Sequence, residues 1–438
     1  MRYKLYTAFL LLILLAPAAL SLTMKESINI ALKSNAAVLS SQKKLDAANA
    51  RLGQAIGAFM PTIKADASVG RSYSQPSAVE ITAPPPIGSG TFTFGVDAAS
   101  DIRNISATLT QPVFVAALLP GYNIAKASAD MAQEDYKKTQ QDTAYNATVA
   151  YFALLKADEF VNLLSESLDM AKSHQSQVEA LVNAGVATRS DLLRAEVQVA
   201  NSEVALTKAK NGHELAKGAL NNVMGQPIDA PITLSDQSHT SPQTAAPKLA
   251  DLIDITFNDR PDWRIFKKAS DIAEQNVMVQ RSGYLPTVVV SGQTGDHFTG
   301  YPAYSTDTNS WSITGAASIT LFDGLGLQNR IREAESNLDA QKASEDSVRN
   351  GLILEVRDAF LNFTTAIETI SSAKKAVDLA EENEKVSDLR YKSGVATNIE
   401  VLDAQVALTQ ARSDYSQALF DLEIAKAKIN KSVGKEVL

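Results

Sequence analysis

The tetrapeptide Gly-Val-Ala-Thr occurs twice, at Gly185–Thr188 and at Gly394–Thr397, 209 residues apart. Each copy stops one helical pattern at the glycine and starts another after the threonine. The glycines that end the following helices, Gly225 and Gly434, keep the same spacing. Further upstream the repeat aligns without a gap at an offset of 225, with Asn35 on Arg260, Pro61 on Pro286 and Thr62 on Thr287. The chain is a tandem duplication, so any fold for one half must serve the other.

The duplication divides the 438 residues into a leader (1–21), a first repeat (22–225), a linker (226–248) and a second repeat (249–438). Met1–Ser21 reads as a secretory signal peptide, with Arg2 and Lys4, the apolar run Leu10–Leu15 and the small-residue end Ala19-Leu-Ser21. There is no cysteine, which excludes disulfides, thiol chemistry and a cysteine-linked lipid anchor. No later run reaches the roughly 18 apolar residues of a spanning helix. A membrane-inserted form of this chain must therefore be a β-barrel. The net charge of −8 argues against nucleic acid as a partner.

Each repeat opens with a polar helix, at about 23–59 and 249–284, that ends before a proline. Proline disfavours helix in the residue before it. The period then changes to two. Ile63, Ala65, Ala67 and Val69 alternate with Lys64, Asp66, Ser68 and Gly70. After a Pro-, Gly- and Ser-rich loop over 75–100, Ile105, Ala107 and Leu109 continue the alternation. In the second repeat 287–293 is β-branched and 294–309 turn-like. Trp311, Ile313, Gly315, Ala317, Ile319 and Leu321 then alternate with small polar residues. Periodicity alone allows two hairpins of a soluble sheet or four membrane strands, apolar toward lipid and polar toward water. Four strands are too few to close a wide barrel; a trimer supplies twelve.

Long helices follow, at about 122–182 and 328–391. Leu352, Val356, Ala359, Phe363, Ile367 and Ile370 lie three and four apart, with a second stripe at Ile353 and Phe360, as in a helix with two helical neighbours. A helix of about 60 residues is about 90 Å long, and the following helices (190–223 and 399–433) of about 35 residues are about 50 Å each. Two short helices stacked end to end match one long one, which predicts a cylindrical wall. The linker, with Pro227, Pro231, Pro242 and Pro247, lies outside that wall. Asp259-Arg-Pro-Asp262 reads as a local ion pair or a helix start.

No chemistry-bearing motif emerges. The four histidines (His174, His213, His239, His297) are scattered, without metal-ligand spacing. There is no nucleophile elbow and no P-loop, and Gly324-Leu-Gly326 lacks the rest of a dinucleotide fingerprint. No catalytic residue, metal or cofactor is expected. The carboxylates after the repeated turns are more informative. Glu400 and Asp403 share a helix face, while Asp191 and Arg194 hold the matching places in the first repeat. They are first-turn acids capping a helix behind Thr188 and Thr397, or, if three chains surround an axis, acidic rings. Like charges about 8 Å apart repel by roughly 2 kcal/mol at an effective dielectric near 20.

The duplication, the Pro61 and Pro286 junctions, the Ile319–Gly324 strand exit and Tyr391-x-x-Gly394-x-x-Thr397-x-x-Glu400-Val-Leu-Asp403 resemble the TolC-type outer-membrane efflux protein family. The resemblance covers essentially the whole mature chain. It implies an α+β membrane protein: a homotrimer with a twelve-stranded outer-membrane β-barrel, four strands per chain, continuous with a long periplasmic α-helical barrel. Such a tube is a passive exit duct for a membrane-fusion adaptor and an inner-membrane pump or ABC (type I) exporter. The family's periplasmic iris maps to Glu400 and Asp403 as acidic rings, and to Tyr391 with Asp191 as its contact. Adaptor docking maps to Gly185, Val186 and Ala187 and to Gly394, Val395 and Ala396. Ala396 departs from members with arginine there; Arg189 or Arg194 substitutes for the missing latch, or the iris rests looser. The competing class is a periplasmic coiled-coil scaffold or adaptor without a pore.

Overall fold

A computed structural model describes residues 21–75, 77–82, 89–94, 97–235, 247–302 and 304–435. Residues 1–20 of the expected leader (1–21) and the tripeptide Pro84-Pro-Pro86 lie outside the described residues. Two compact units form, each drawing on both repeats. The first takes residues up to 45, 132–266 and 345 onward; the second takes 46–131 and 267–344. Among the described residues no helix is long and apolar enough to cross a membrane.

In the first repeat the order is β1 (Ser21–Leu22), α1 (Met24–Ser34), α2 (Ala36–Gly57), β2 (Thr62–Ser74), β3 (Ser77–Thr82), β4 (Ser89–Phe94), β5 (Ala98–Val115), α3 (Leu118–Asn183) and α4 (Arg189–Met224). Next come β6 (Thr233–Leu234), α5 (Leu249–Asp259), α6 (Pro261–Arg281), β7 (Thr287–Gly300), β8 (Ser305–Ser318), α7 (Gly326–Ala343), α8 (Glu345–Lys392) and α9 (Asn398–Ser432).

Several expectations need correction. The single helix over 23–59 is two, because Asn35 is extended at φ −66°, ψ 130°. Its partner in the repeat, Arg260, breaks 249–284 in the same way at φ −71°, ψ 125°. The cause is tertiary. Asn35 Nδ2 donates to the carbonyl of Val223 at 2.8 Å, and Arg260 Nη1 to that of Ser432 at 3.1 Å. Each acceptor lies two residues before the glycine ending a short helix. Those glycines touch the breaks directly: a Cβ on Gly225 would meet the Ser34 carbonyl oxygen at 2.4 Å, and one on Gly434 the Arg260 Cα at 2.7 Å. Pro261 adds a local reason in the second copy. Asp259–Asp262 is thus a helix start at Pro261 and also holds a local ion pair, Arg260 with Asp262.

The first unit is helical. Its largest apolar cluster joins α5, α8 and α9 through Leu252, Val356, Phe363, Ile370, Leu422 and Ile429. A second joins β1, α3 and α4 around Tyr151, whose hydroxyl donates to the Leu22 carbonyl at 3.2 Å. The linker is not all loop: β6 pairs in parallel with β1; its 236–246 portion lies outside the described residues. In the second long helix, α7 and α8 are separated at Ser344, which keeps helical φ and ψ of −77° and −10°.

The second unit contains a four-stranded antiparallel sheet in the order β2-β5-β7-β8. The turn-like reading of 294–309 is overturned: β7 runs on to Gly300 and β8 begins at Ser305. Gly295 and Asp296 have little strand preference of their own. Pairing on both flanks of β7 outweighs that, and Gly295 admits a close backbone, since its Cβ would lie 2.7 Å from the Ile105 carbonyl oxygen. The expected 75–100 loop contains the β3–β4 hairpin and the start of β5. β2 and β8 form the two edges, of 13 and 14 residues, exposed along their whole length.

Arg260 is 6% exposed, and besides Ser432 it reaches Asp262 Oδ2 at 3.0 Å and Glu355 Oε2 at 2.5 Å. Burial pushes the Asp262 carboxyl up, but hydrogen bonds and charge from Arg260 and Lys138 outweigh it and hold it below the usual range. A depressed carboxylate contributes stability above its unfolded pKa and loses it as pH falls through its folded pKa. Arg260→Ala is expected to cost about 1–3 kcal/mol. It should also flatten the acid limb of the stability–pH curve between those two pKa values. Thermal unfolding followed by circular dichroism at neutral and acidic pH checks both.

Candidate functional site

The two repeated turns cap hairpins α3–α4 and α8–α9. Gly185 and Gly394 stand at φ +74° and +72°, a region glycine enters without strain. Val186 N donates to the Leu181 carbonyl and Val395 N to the Arg390 carbonyl, both at 2.9 Å, closing each helix end. Thr188 and Thr397 then start the next helices.

Asp191 and Glu400 complete capping boxes. Asp191 Oδ2 accepts from Thr188 N at 3.1 Å and Thr188 Oγ1 at 2.6 Å. Glu400 Oε1 accepts from Thr397 N and Oγ1, each at 3.1 Å. The backbone and hydroxyl of Thr397, with a smaller contribution from Arg390 at 3.7 Å, hold the Glu400 carboxyl below its ordinary value. The third residue of a helix is where a carboxylate meets unpaired N–H groups. Asp403, one turn on, is exposed and has no ion-pair or hydrogen-bond partner among the described residues. Arg189 and Arg194 are exposed too and likewise unpaired.

Behind the turns the hairpins share one small core: Val178, Leu192, Ala195, Tyr391 and Val401, with Leu181, Val182 and Ala396 packed against it. Ala396, where an arginine was missed, contributes to this apolar contact. Val186 and Val395 instead point to solvent, 72% and 65% exposed, beside exposed Gly185 and Gly394. Ala187, like Ala396, is half-buried.

A polar tie crosses this core. His174, 3% exposed on α3, meets Asn398 Oδ1 through Nε2 at 2.6 Å. Asn398 Nδ2 donates to the Asp191 carbonyl at 3.0 Å. The amide oxygen therefore accepts, and the imidazole Nε2–H donates. One side-chain pair links α3, α9 and α4. Tyr391 lies against the imidazole, ring centroids 5.4 Å apart. Burial, and then the negative charge of Asp191, push its phenol up. Asp191 is thus near Tyr391, yet the buried tyrosine hydroxyl makes no hydrogen bond among the described residues.

Sequence reading passed over His174 and Asn398. One signal was available: Leu164, Leu168, Ala171, His174 and Val178 form a three–four stripe, so the imidazole occupies a core position. A single polar residue on such a seam fixes register at a cost in stability. Among the described residues no cluster is suited to hold a metal ion.

A family model described as Outer membrane efflux protein matches residues 27–226 and 252–435, one segment per repeat. Outer membrane protein TolC of Escherichia coli (strain K12) is 21% identical over 350 residues, 76% of this chain and 70% of that protein. Alkaline protease secretion protein AprF of Pseudomonas aeruginosa is 22% identical over 435 residues, 98% of this chain and 88% of that one. The solved outer-membrane channel OprN aligns with a TM-score of 0.77 at 20% identity, covering 94% of this chain and 90% of that chain. CusC aligns with a TM-score of 0.79 at 16% identity, covering 94% and 92%.

Asn398→Ala strands the buried imidazole N–H and is expected to cost about 1–3 kcal/mol. Tyr391→Phe removes a hydroxyl with no partner and keeps the ring packing, so its cost should stay within about 0.5 kcal/mol. Apparent Tm values of the two purified variants against the parent check this ordering.

Proposed function

The chain belongs to the outer membrane efflux protein family, and from that premise we propose that three copies form a passive exit duct through the outer membrane. The duct is not an enzyme. It receives solutes or proteins from an inner-membrane pump or ABC exporter through a periplasmic adaptor and releases them outside. The observation that carries this is the pair of free sheet edges. In hydrocarbon an unpaired N–H or C=O costs several kcal/mol, so spanning sheets close. Pairing β8 of one copy with β2 of the next closes twelve strands from three chains. A periplasmic scaffold without a pore leaves both edges unpaired and is set aside.

The gate belongs at the helix tips. Glu400 is committed to its cap and Arg390, while Asp403 is free to face an axis, so Asp403 is the better candidate for the acidic ring. Three such carboxylates concentrate cations at the entrance. Tyr391 belongs to the core that joins the two hairpins, within the electrostatic reach of Asp191. With Ala396 in apolar contact and Arg189 and Arg194 unpaired, the latch rests on packing and the His174–Asn398 tie. Exposed Val186 and Val395, flanked by glycines, are the adaptor's docking knobs.

Planar-bilayer recording of the purified assembly tests the ring. Asp403→Asn is expected to lower potassium-over-chloride selectivity several-fold, whereas Glu400→Gln, which keeps a capping acceptor, should change it little. Arg189→Ala and Arg194→Ala should leave resting conductance unchanged. Unaltered selectivity in Asp403→Asn would remove that residue from the pore.

A further inference from the structure

The tie through His174 has a direction. Asn398 gives its amide N–H to the Asp191 carbonyl, so its oxygen faces the ring and the imidazole carries its proton on Nε2. A neutral imidazole has one N–H, and its other nitrogen is an acceptor. That other nitrogen, Nδ1, is buried and makes no hydrogen bond among the described residues. The closed core is therefore built around the neutral ring. A second proton on Nδ1 would place a buried donor where nothing accepts it, and a charge beside Val178, Leu192, Ala195 and Val401. A stranded buried donor bears its full desolvation penalty, and a charge raises it.

The charged groups on the four helices do not supply the missing acceptor. On α3, Lys172 pairs with Glu203 at 3.7 Å and Glu179 is exposed. On α4, the Asp191 carboxylate is held by Thr188, Arg194 is exposed and Glu196 is half-buried. On α8, Asp388 pairs with Lys392 at 2.7 Å and Glu384 is half-buried. Burial, and then the Asp191 charge, push the Tyr391 phenol up, so it stays neutral. On α9, Glu400 is occupied by Thr397 and Arg390, and Asp403 is exposed. Among the described residues none of these acids comes within ion-pair distance of the ring. At longer range they soften the cost of an imidazolium, but they give its Nδ1–H no partner.

The duplication sets this pair apart from the capping boxes. At the offset of 209, His174 falls on Asn383 and Asn398 on Arg189, both exposed. Both hairpins turn and cap alike, yet the histidine tie occurs once per chain. Closing a hairpin does not require it.

We propose that His174 is an acid-sensitive release for the closed helix tips: protonation at Nδ1 ends the fit of the imidazole between α3, α4, α8 and α9, and the hairpins part until the ring meets water. This rests on the gate reading above and adds what controls that gate. Imidazole is the side chain that ordinarily gains its charge in mild acid. A form that accepts a proton gains on one that excludes it by up to about tenfold per pH unit and per site. The closed form is thus favoured at neutral pH and lost as pH falls, and the three copies act together.

Bilayer recording of the full-length assembly tests this at about pH 7.5 and about pH 5.5, either side of the ordinary imidazole range. The parent's resting conductance is expected to rise several-fold in acid. His174→Gln keeps an amide N–H for Asn398 and takes no proton, so its acid-to-neutral conductance ratio should stay near that of a fixed pore. His213, His239 and His297 remain in this variant, so the difference reports His174 alone. A parent that does not open in acid, or a variant that opens equally, overturns the proposal. Hydrogen exchange of the purified parent at the same two pH values, corrected for intrinsic rates, needs no variant and no current. Amides in 168–182 and 398–406 should lose protection several-fold in acid, while the α8–α9 core around Phe363 and Leu422 keeps its own. Equal tip protection at both pH values overturns the release. A parent that conducts at neither pH overturns the duct reading instead, and hydrogen exchange still decides the release.

Discussion

A backbone amide that leaves water must find another partner, and this sheet leaves two rows of them open. β2 and β8 are long and exposed, and among the described residues nothing pairs with their outer sides. In water such edges invite aggregation; in hydrocarbon they are untenable without closure. Among the described residues the duplication supplies four strands to this sheet, so closure has to come from other copies. Homotrimerisation, barrel formation and membrane residence are one consequence of four strands that cannot close alone.

The helical unit meets the same requirement by local means. Each long helix must stop, reverse and restart, leaving N–H and C=O groups without partners at both ends. A left-handed glycine closes one helix and a threonine–carboxylate box opens the next, twice. Because Asp191 and Glu400 are occupied with that task, their presence after the turns is explained before any gating role is assigned. The proposed gate uses what capping does not: exposed Asp403, and the buried tie through His174 and Asn398. The joints at Asn35 and Arg260 show the same economy, one side chain at a helix break holding the carbonyl end of a neighbouring helix.

Much of this was legible in the sequence because its signals are local. Glycine and threonine fix the tips, proline fixes the helix-to-strand junctions, and alternation fixes a strand over 311–318, although it runs on to Leu321, past the end of β8. The failures are non-local. Nothing around Asn35 announces a break; the cause is Gly225, far away in the chain, whose lack of Cβ lets two backbones touch. Strand β7 beyond Gln293 interrupts its Thr and Phe with Gly295, Asp296, His297 and Gly300, and β5 and β8 pair with it on both sides. His174 looked like one of four scattered histidines, although its place on an apolar stripe marked it as buried. Asn398 could not be distinguished from any other first-turn residue until α3 was beside it. The family resemblance supplied the trimer and the partners; it did not supply this tie.

The central claim is that one chain is a third of a barrel. Native mass spectrometry of the full-length protein, released from outer membranes in detergent, reads this directly. A mass of three chains, with no stable monomer or dimer, is the expected result. A monodisperse monomer that still conducts ions in bilayers would contradict closure between copies.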